Sequence, residues 1–167
     1  MQLFIRAPDI DELPALSELC LRSKAVWGYD AAFMAACRSE LSFEPRDLDS
    51  SRIAVAARGS GVLGVAQVRV AGREADLLKL FGEPAALRGG VGQALFAWAS
   101  DVAREMGAQR MTIEADPEAA PFYRRLGARD AGLVPSGSIT GRMLPKLCSY
   151  SKHLHQLPGR LAFFRMR

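Results

Sequence analysis

Residues 87–95, Leu87-Arg88-Gly89-Gly90-Val91-Gly92-Gln93-Ala94-Leu95, join an apolar strand-like run, Leu77-Leu78-Lys79-Leu80-Phe81, to a segment of helical spacing, Gln93 to Met106. Three glycines at such a junction let backbone N–H groups crowd around an anion. The helix start behind them adds unpaired donors and the positive end of its dipole. A phosphate cradle is the expectation. Plain glycine-rich turns are common, and no Walker lysine follows, so the flanking elements have to decide which fold presents it.

Before the cradle, Arg52 to Arg58 and Val62 to Ala71 are rich in small and β-branched residues, and Gly59-Ser60-Gly61 between them is turn chemistry. A second turn at Gly72-Arg73 leads to a third strand, Ala75 to Phe81, so the middle of the chain is expected to be an antiparallel meander. A dinucleotide-binding fold would instead begin with a parallel βαβ unit. After the cradle, Leu95, Trp98, Ala99, Val102 and Ala103 share one helical face and Gly107 supplies a stop. Gln109 to Ala115 alternates as a strand. Lying one helix after Ala75 to Phe81, it is expected beside that strand and parallel to it, through a right-handed crossover. Asp116 and Pro117 then open a short helix through Phe122, Tyr123 and Leu126, with Gly127 behind it. Weaker strand patterns follow at 128–133 and 139–144.

Toward the N-terminus, Gln2 to Arg6 alternates as a short strand, and Asp9 or Asp11 can cap a helix over Glu12 to Lys24. A second helix covers Ala31 to Leu41. Between the two, Trp27 and Tyr29 flank Gly28; they either pack the helix corner or line an acceptor pocket. The polar stretch Pro45 to Ser51 is expected as a connector.

At 167 residues, 49% of them hydrophobic and 24% charged, the chain suits one globular α/β domain, expected over residues 1–147, with a basic tail over 148–167. The net charge of +4 resides in that tail: Lys152, Arg160, Arg165 and Arg167 stand there without an acid, leaving 18 basic and 18 acidic side chains before Ser151. A balanced body argues against a phosphate-tracking surface, so no nucleic-acid partner is expected. No apolar run reaches the roughly 18 residues that span a bilayer, and the N-terminus lacks a signal-peptide layout. A soluble cytoplasmic protein without a membrane partner is the expectation. Cys20, Cys37 and Cys148 are odd in number and widely spaced, which suits reduced thiols rather than disulfides or zinc. His153 and His155 lie in the tail, and no metal site is expected. The tail itself reads as an oligomer-forming arm of a homodimer, a surface flap, or an extension that adds little.

The element order β α α β β β α β α β β, with the glycine loop after the fourth strand, resembles the GNAT superfamily of acyl-CoA-dependent N-acyltransferases from about Leu3 to Leu147. Two motifs carry the resemblance. The family has Arg or Gln, two free positions, Gly, one free position, then Gly or Ala; Gly90-Val91-Gly92 sets that register here and puts Leu87 where Arg or Gln is usual. The second is Asp116 to Ala128, which holds Phe122-Tyr123, three residues, then Gly127; it begins 24 residues after Gly92. The resemblance implies a mixed central sheet, an antiparallel meander plus a splayed parallel strand pair, flanked by helices.

It also implies acetyl-CoA as cosubstrate. The pantetheine arm would pair with the backbone of Leu80, Phe81 and Gly82. The pyrophosphate would meet Arg88, Gly89, Gly90, Val91, Gly92, Gln93 and Ala94, and Asp116 is expected among the cofactor-binding residues. Tyr123 would stand near the sulfur as general acid, a phenol of pKa about 10 matching a thiolate leaving group. For the base, Asp76 falls six residues before Gly82, where histone-acetylating relatives keep a glutamate, and Glu83 and Glu114 end the two splayed strands. Strict alternation puts Lys79 on the strand face opposite Asp76. The expected reaction is direct attack of an amine on the thioester, with a small primary amine favoured over a protein amino group and Trp27 and Tyr29 as acceptor-side residues. The alternative, which Leu87 favours, is a non-catalytic acyl-CoA binding module of the same fold.

Overall fold

The computed structural model describes residues 1–151; His153, His155 and the four basic tail residues lie outside them. The chain runs through β1 (Leu3–Arg6), a 3-10 turn at Ile10–Glu12, α1 (Leu13–Ala25), α2 (Ala31–Leu41), α3 (Asp47–Ser50), β2 (Arg52–Arg58), β3 (Gly61–Ala71) and β4 (Glu74–Gly82). A second 3-10 turn at Pro84–Ala86 leads to α4 (Val91–Glu105), β5 (Arg110–Glu114), α5 (Ala120–Arg125), β6 (Arg129–Pro135) and β7 (Met143–Tyr150). One seven-stranded sheet results, in the order β1-β2-β3-β4-β5-β7-β6. Only β4 and β5 pair in parallel, as the crossover through α4 requires.

Helices cover both faces. On one, Leu13, Leu16, Leu19 and Cys20 of α1 and Cys37 and Leu41 of α2 bury against Ile53, Val55 and Val65. On the other, Phe96, Ala99 and Ala103 of α4 and Tyr123 of α5 bury against Val68, Leu77, Met111, Ile113 and Leu147. The α4 stripe follows the expected three- and four-residue steps, although Trp98 and Val102 are only partly buried. Gly64 of β3 is what lets α4 lie so close. A Cβ there would stand 2.6 Å from Val91 Cγ1 and 2.9 Å from the Phe81 carbonyl oxygen.

The feature that makes the site is a β-bulge in β4. Val68 pairs with Leu77 and Gln67 with Lys79, so Leu78 is an extra residue with no partner on β3. A bulge bends its strand and ends orderly pairing. Accordingly the β4–β5 ladder runs only from Glu74 opposite Arg110 to Leu77 opposite Ile113 and stops there, while β4 continues along β3 to Gly82. The inserted residue also corrects the alternation expected from sequence. Asp76 bonds Arg69 and Lys79 bonds Gln67, two residues apart on β3, so Lys79 shares the face of Asp76.

Three other elements differ from expectation. The last strand is Met143–Tyr150 rather than 139–144, because Arg110 to Glu114 of β5 select Tyr150 to Lys146 as partners, and Leu147 and Cys148 fill the core. β7 thus extends three residues past Leu147, and the Ser151 N–H still bonds the Gln109 carbonyl at 3.0 Å. The connector contains α3, whose entry is closed by a 2.7 Å bond from the Glu44 N–H to Asp47 Oδ2. The helix after β5 begins at Ala120; Pro117 to Ala119 form a preceding turn held by Asp116. All three cysteines are free and buried. Among the described residues no helix is long and apolar enough to cross a membrane.

Candidate active site

Where β4 and β5 part, a cleft of about 750 Å³ opens through the sheet. Leu80, Phe81 and Gly82 of the unpaired β4 edge line it, together with Arg88, Gly90, Val91, Gly92 and Gln93 of the glycine loop and α4. The loop is shaped by two left-handed residues, Arg88 at φ 68° and Gly90 at φ 78°. Gly90 meets the helix start at no steric cost, whereas Arg88 is strained. Of the expected N–H donors, two are used internally: Gly89 bonds the Ala86 carbonyl at 3.2 Å and Ala94 the Gly90 carbonyl at 3.0 Å. The N–H groups of Arg88, Gly90, Val91, Gly92 and Gln93 have no backbone partner among the described residues. Free N–H groups at a helix start, with the α4 dipole behind them, are suited to an anion. Leu87, 54% exposed, adds a purely apolar contact to the cleft.

Tyr123 reaches the cleft from α5, wedged edge-on against Phe122 (5.1 Å between centroids) and tilted to Phe96 (5.8 Å). Phe122 in turn packs on the start of α4; a Cβ on Gly92 would lie 3.1 Å from its Cζ. The Tyr123 hydroxyl has no hydrogen-bond partner among the described residues. Burial alone pushes its pKa above the ordinary phenol value. The group is therefore a protonated donor facing the cleft.

Opposite, four side chains from four separate segments meet. Tyr29 donates to Asp116 Oδ2 at 2.8 Å, Lys24 bonds the same oxygen at 3.2 Å, and Arg142 reaches Tyr29 Oη at 2.6 Å and Asp116 Oδ2 at 3.4 Å. Asp116, Lys24 and Arg142 have side chains only 9%, 14% and 18% exposed. Burial alone would raise the Asp116 carboxyl, but bonds from Tyr29, the Glu118 N–H and Lys24 hold it below the ordinary carboxylate range. Burial and the Asp116 acceptor push Tyr29 up to about 12. The Tyr29 ring stacks on Phe33 at 3.9 Å, and Arg142 and Lys24 lie over the pair. Trp27 lines the cleft beside them.

Asp76 and Glu83 are not brought to this cleft. Asp76 pairs with Arg69 at 3.0 Å on the sheet surface, and Glu83 is held by Arg22 beside α1. Both carboxylates are thus occupied by arginines. Glu114 does line the cleft. Sequence reasoning missed Lys24, Arg142 and the place of Lys79 on the cleft wall. Lys24 read only as the end of a helix. No local pattern marks Arg142, which follows Gly141 in an irregular turn. Lys79 was hidden by the bulge.

Residues 49–127 match the family model of an acetyltransferase (GNAT) domain. In fold the chain is similar to the paia N-acetyltransferase of Thermoplasma acidophilum, solved with coenzyme A (TM-score 0.73, 17% identity, covering 90% of this chain and 99% of that one). It is also similar to a GCN5-related N-acetyltransferase structure from Rhodopseudomonas palustris (TM-score 0.74, 16% identity, 90% and 96% covered) and to yncA of Salmonella typhimurium, solved with acetyl-CoA (TM-score 0.66, 19% identity, 99% and 100% covered). No curated protein matches the chain in sequence. The chain thus has the GNAT fold, and within it residues 49–127 are similar in sequence to a GNAT acetyltransferase domain.

Proposed function

We propose that the protein transfers an acetyl group from acetyl-CoA to the nitrogen of a small-molecule amine. The observation that carries this reading is the cleft itself: a free β4 edge, a nest of unpaired N–H groups and a partnerless phenol face one continuous space. The residues suit coenzyme A. Free backbone at Leu80 to Gly82 can pair with the amide-bearing pantetheine arm as an added strand, and the nest suits a pyrophosphate. Arg88 stands where its guanidinium can meet a phosphate.

The amine nitrogen attacks the thioester carbonyl, forming C–N, and the C–S bond breaks as the tetrahedral species collapses. Tyr123 gives its proton to the departing thiolate, and the proton that the nitrogen sheds on becoming an amide restores the phenol through water. The acceptor enters from the side of Trp27 and Tyr29 and must lose its own proton to react. Asp116 is a poor base because two cations and a hydroxyl hold it ionised; water at the open cleft mouth takes that proton.

Thiol release from acetyl-CoA, followed with a panel of amines, amino acids and peptides, tests the reading. Turnover with a small amine supports it. Tight binding of coenzyme A without turnover on any acceptor would instead make this a non-catalytic acyl-CoA binding module.

A further inference from the structure

The acceptor side of the cleft buries more positive than negative charge. Lys24 and Arg142 share a single carboxylate oxygen, Asp116 Oδ2, so two largely buried cations have one anion between them. Lys79, on the cleft wall contributed by β4, has only the neutral Gln67 amide as hydrogen-bond partner, at 2.9 Å, with the Phe43 ring 4.7 Å from its Nζ. It has no ion-pair partner among the described residues. The remaining acidic side chains of the cleft, Glu40, Glu114 and Glu118, are exposed at the rim, where water and salt screen them.

The Lys79 ammonium is partly buried and has no ion pair among the described residues, with Asp47 and Glu40 acting on it only from a distance, and burial holds its pKa below its ordinary value. Something that enters the cleft can offset that burial. A cationic acceptor would add to the repulsion, which is a means of rejecting polyamines. A carboxylate would relieve it.

We propose that the acceptor is an amine that also carries a carboxylate, in its simplest form a free amino acid, selected by Lys79 together with the Lys24–Arg142 pair. This inference rests on the acetyl-transfer reading and narrows its substrate class. The same surplus of positive charge disfavours the ammonium form of the bound acceptor and so eases loss of its proton where no side-chain base stands.

The test is thiol release with the common amino acids, each compared with its own carboxamide, and with spermidine as a cationic probe. The acid is expected to exceed its amide by about tenfold or more in kcat/KM, the scale of one buried charge contact. In Lys79→Met that ratio should fall toward one, and Lys79→Arg should restore it. Equal or faster turnover of amides or spermidine by the unaltered protein overturns the proposal while leaving acetyl transfer intact. If no compound is turned over, calorimetry on the protein loaded with coenzyme A separates the two ideas. Binding of acids in preference to amides upholds the carboxylate site although the transfer reading fails; equal or no binding overturns the site as well.

Discussion

Tyr29 and Asp116, 87 residues apart in sequence, are joined by a 2.8 Å hydrogen bond that ties the loop between α1 and α2 to the end of β5. The wall of the cleft opposite Tyr123 is built on that bond, because Lys24 and Arg142 converge on the same carboxylate oxygen.

Asp116→Asn removes the only anion between two buried cations while keeping the shape. Unfolding in urea should show a loss of about 3 kcal/mol, the lower end of the range for removing one partner of a buried pair. An unaltered midpoint would mean that the network adds nothing to stability.

Tyr123→Phe leaves the packing of Phe96 and Phe122 in place and deletes one proton donor. Acetyl transfer should slow by about 100-fold, with the affinity for coenzyme A unchanged. Parallel kinetics and calorimetry check this; equal rates for both proteins would remove Tyr123 from the mechanism.

Gly64→Ala places a methyl group 2.9 Å from the Phe81 carbonyl oxygen and 2.6 Å from Val91, neither of which can swing away. A loss of about 2–3 kcal/mol is expected. Gly92→Ala meets the Phe122 ring edge at 3.1 Å and Leu80 Cδ2 at an ordinary 3.9 Å, and should cost less. Thermal melts of the two variants would contradict this packing if they ranked in the opposite order.

Arg88→Gly should raise stability and weaken coenzyme A binding at once. The left-handed backbone at φ 68° is strained for arginine, by about 1 kcal/mol, and natural for glycine. If affinity and its salt dependence stay the same, Arg88 faces solvent rather than phosphate.

Glu12 supplies a pH signature remote from the cleft. Two bonds from Arg6 and one from the Asp9 N–H hold its carboxyl at about 2, below its ordinary 4.5. A folded-state pKa lowered in this way stabilises above 4.5, and the gain is lost as pH falls toward 2. Urea midpoints of the unaltered protein and Glu12→Gln should differ at neutral pH and converge near pH 2. A constant gap across that range would rule out this origin.

The amino-acid sequence by itself determined the architecture and the strand edge, glycine loop and phenol that line one part of the cleft. Alternation of small and β-branched residues marks β2 to β5, the apolar stripe from Leu95 to Ala103 marks α4, and Gly90-Val91-Gly92 and Phe122-Tyr123 stand at spacings that place loop and phenol across one strand pair. These signals are local, and a few consecutive residues carry each. Tertiary structure alone decided the rest. The bulge at Leu78 exists because β3 pairs with Leu77 and Lys79 and skips one residue, and that skip turns Lys79 onto the face of Asp76 and into the cleft wall. The place of β7 was chosen by its two neighbours rather than by its own pattern. Lys24, Tyr29, Asp116 and Arg142 come from four separate segments, and charges that meet only after folding leave no periodicity along the chain from which to foresee their meeting.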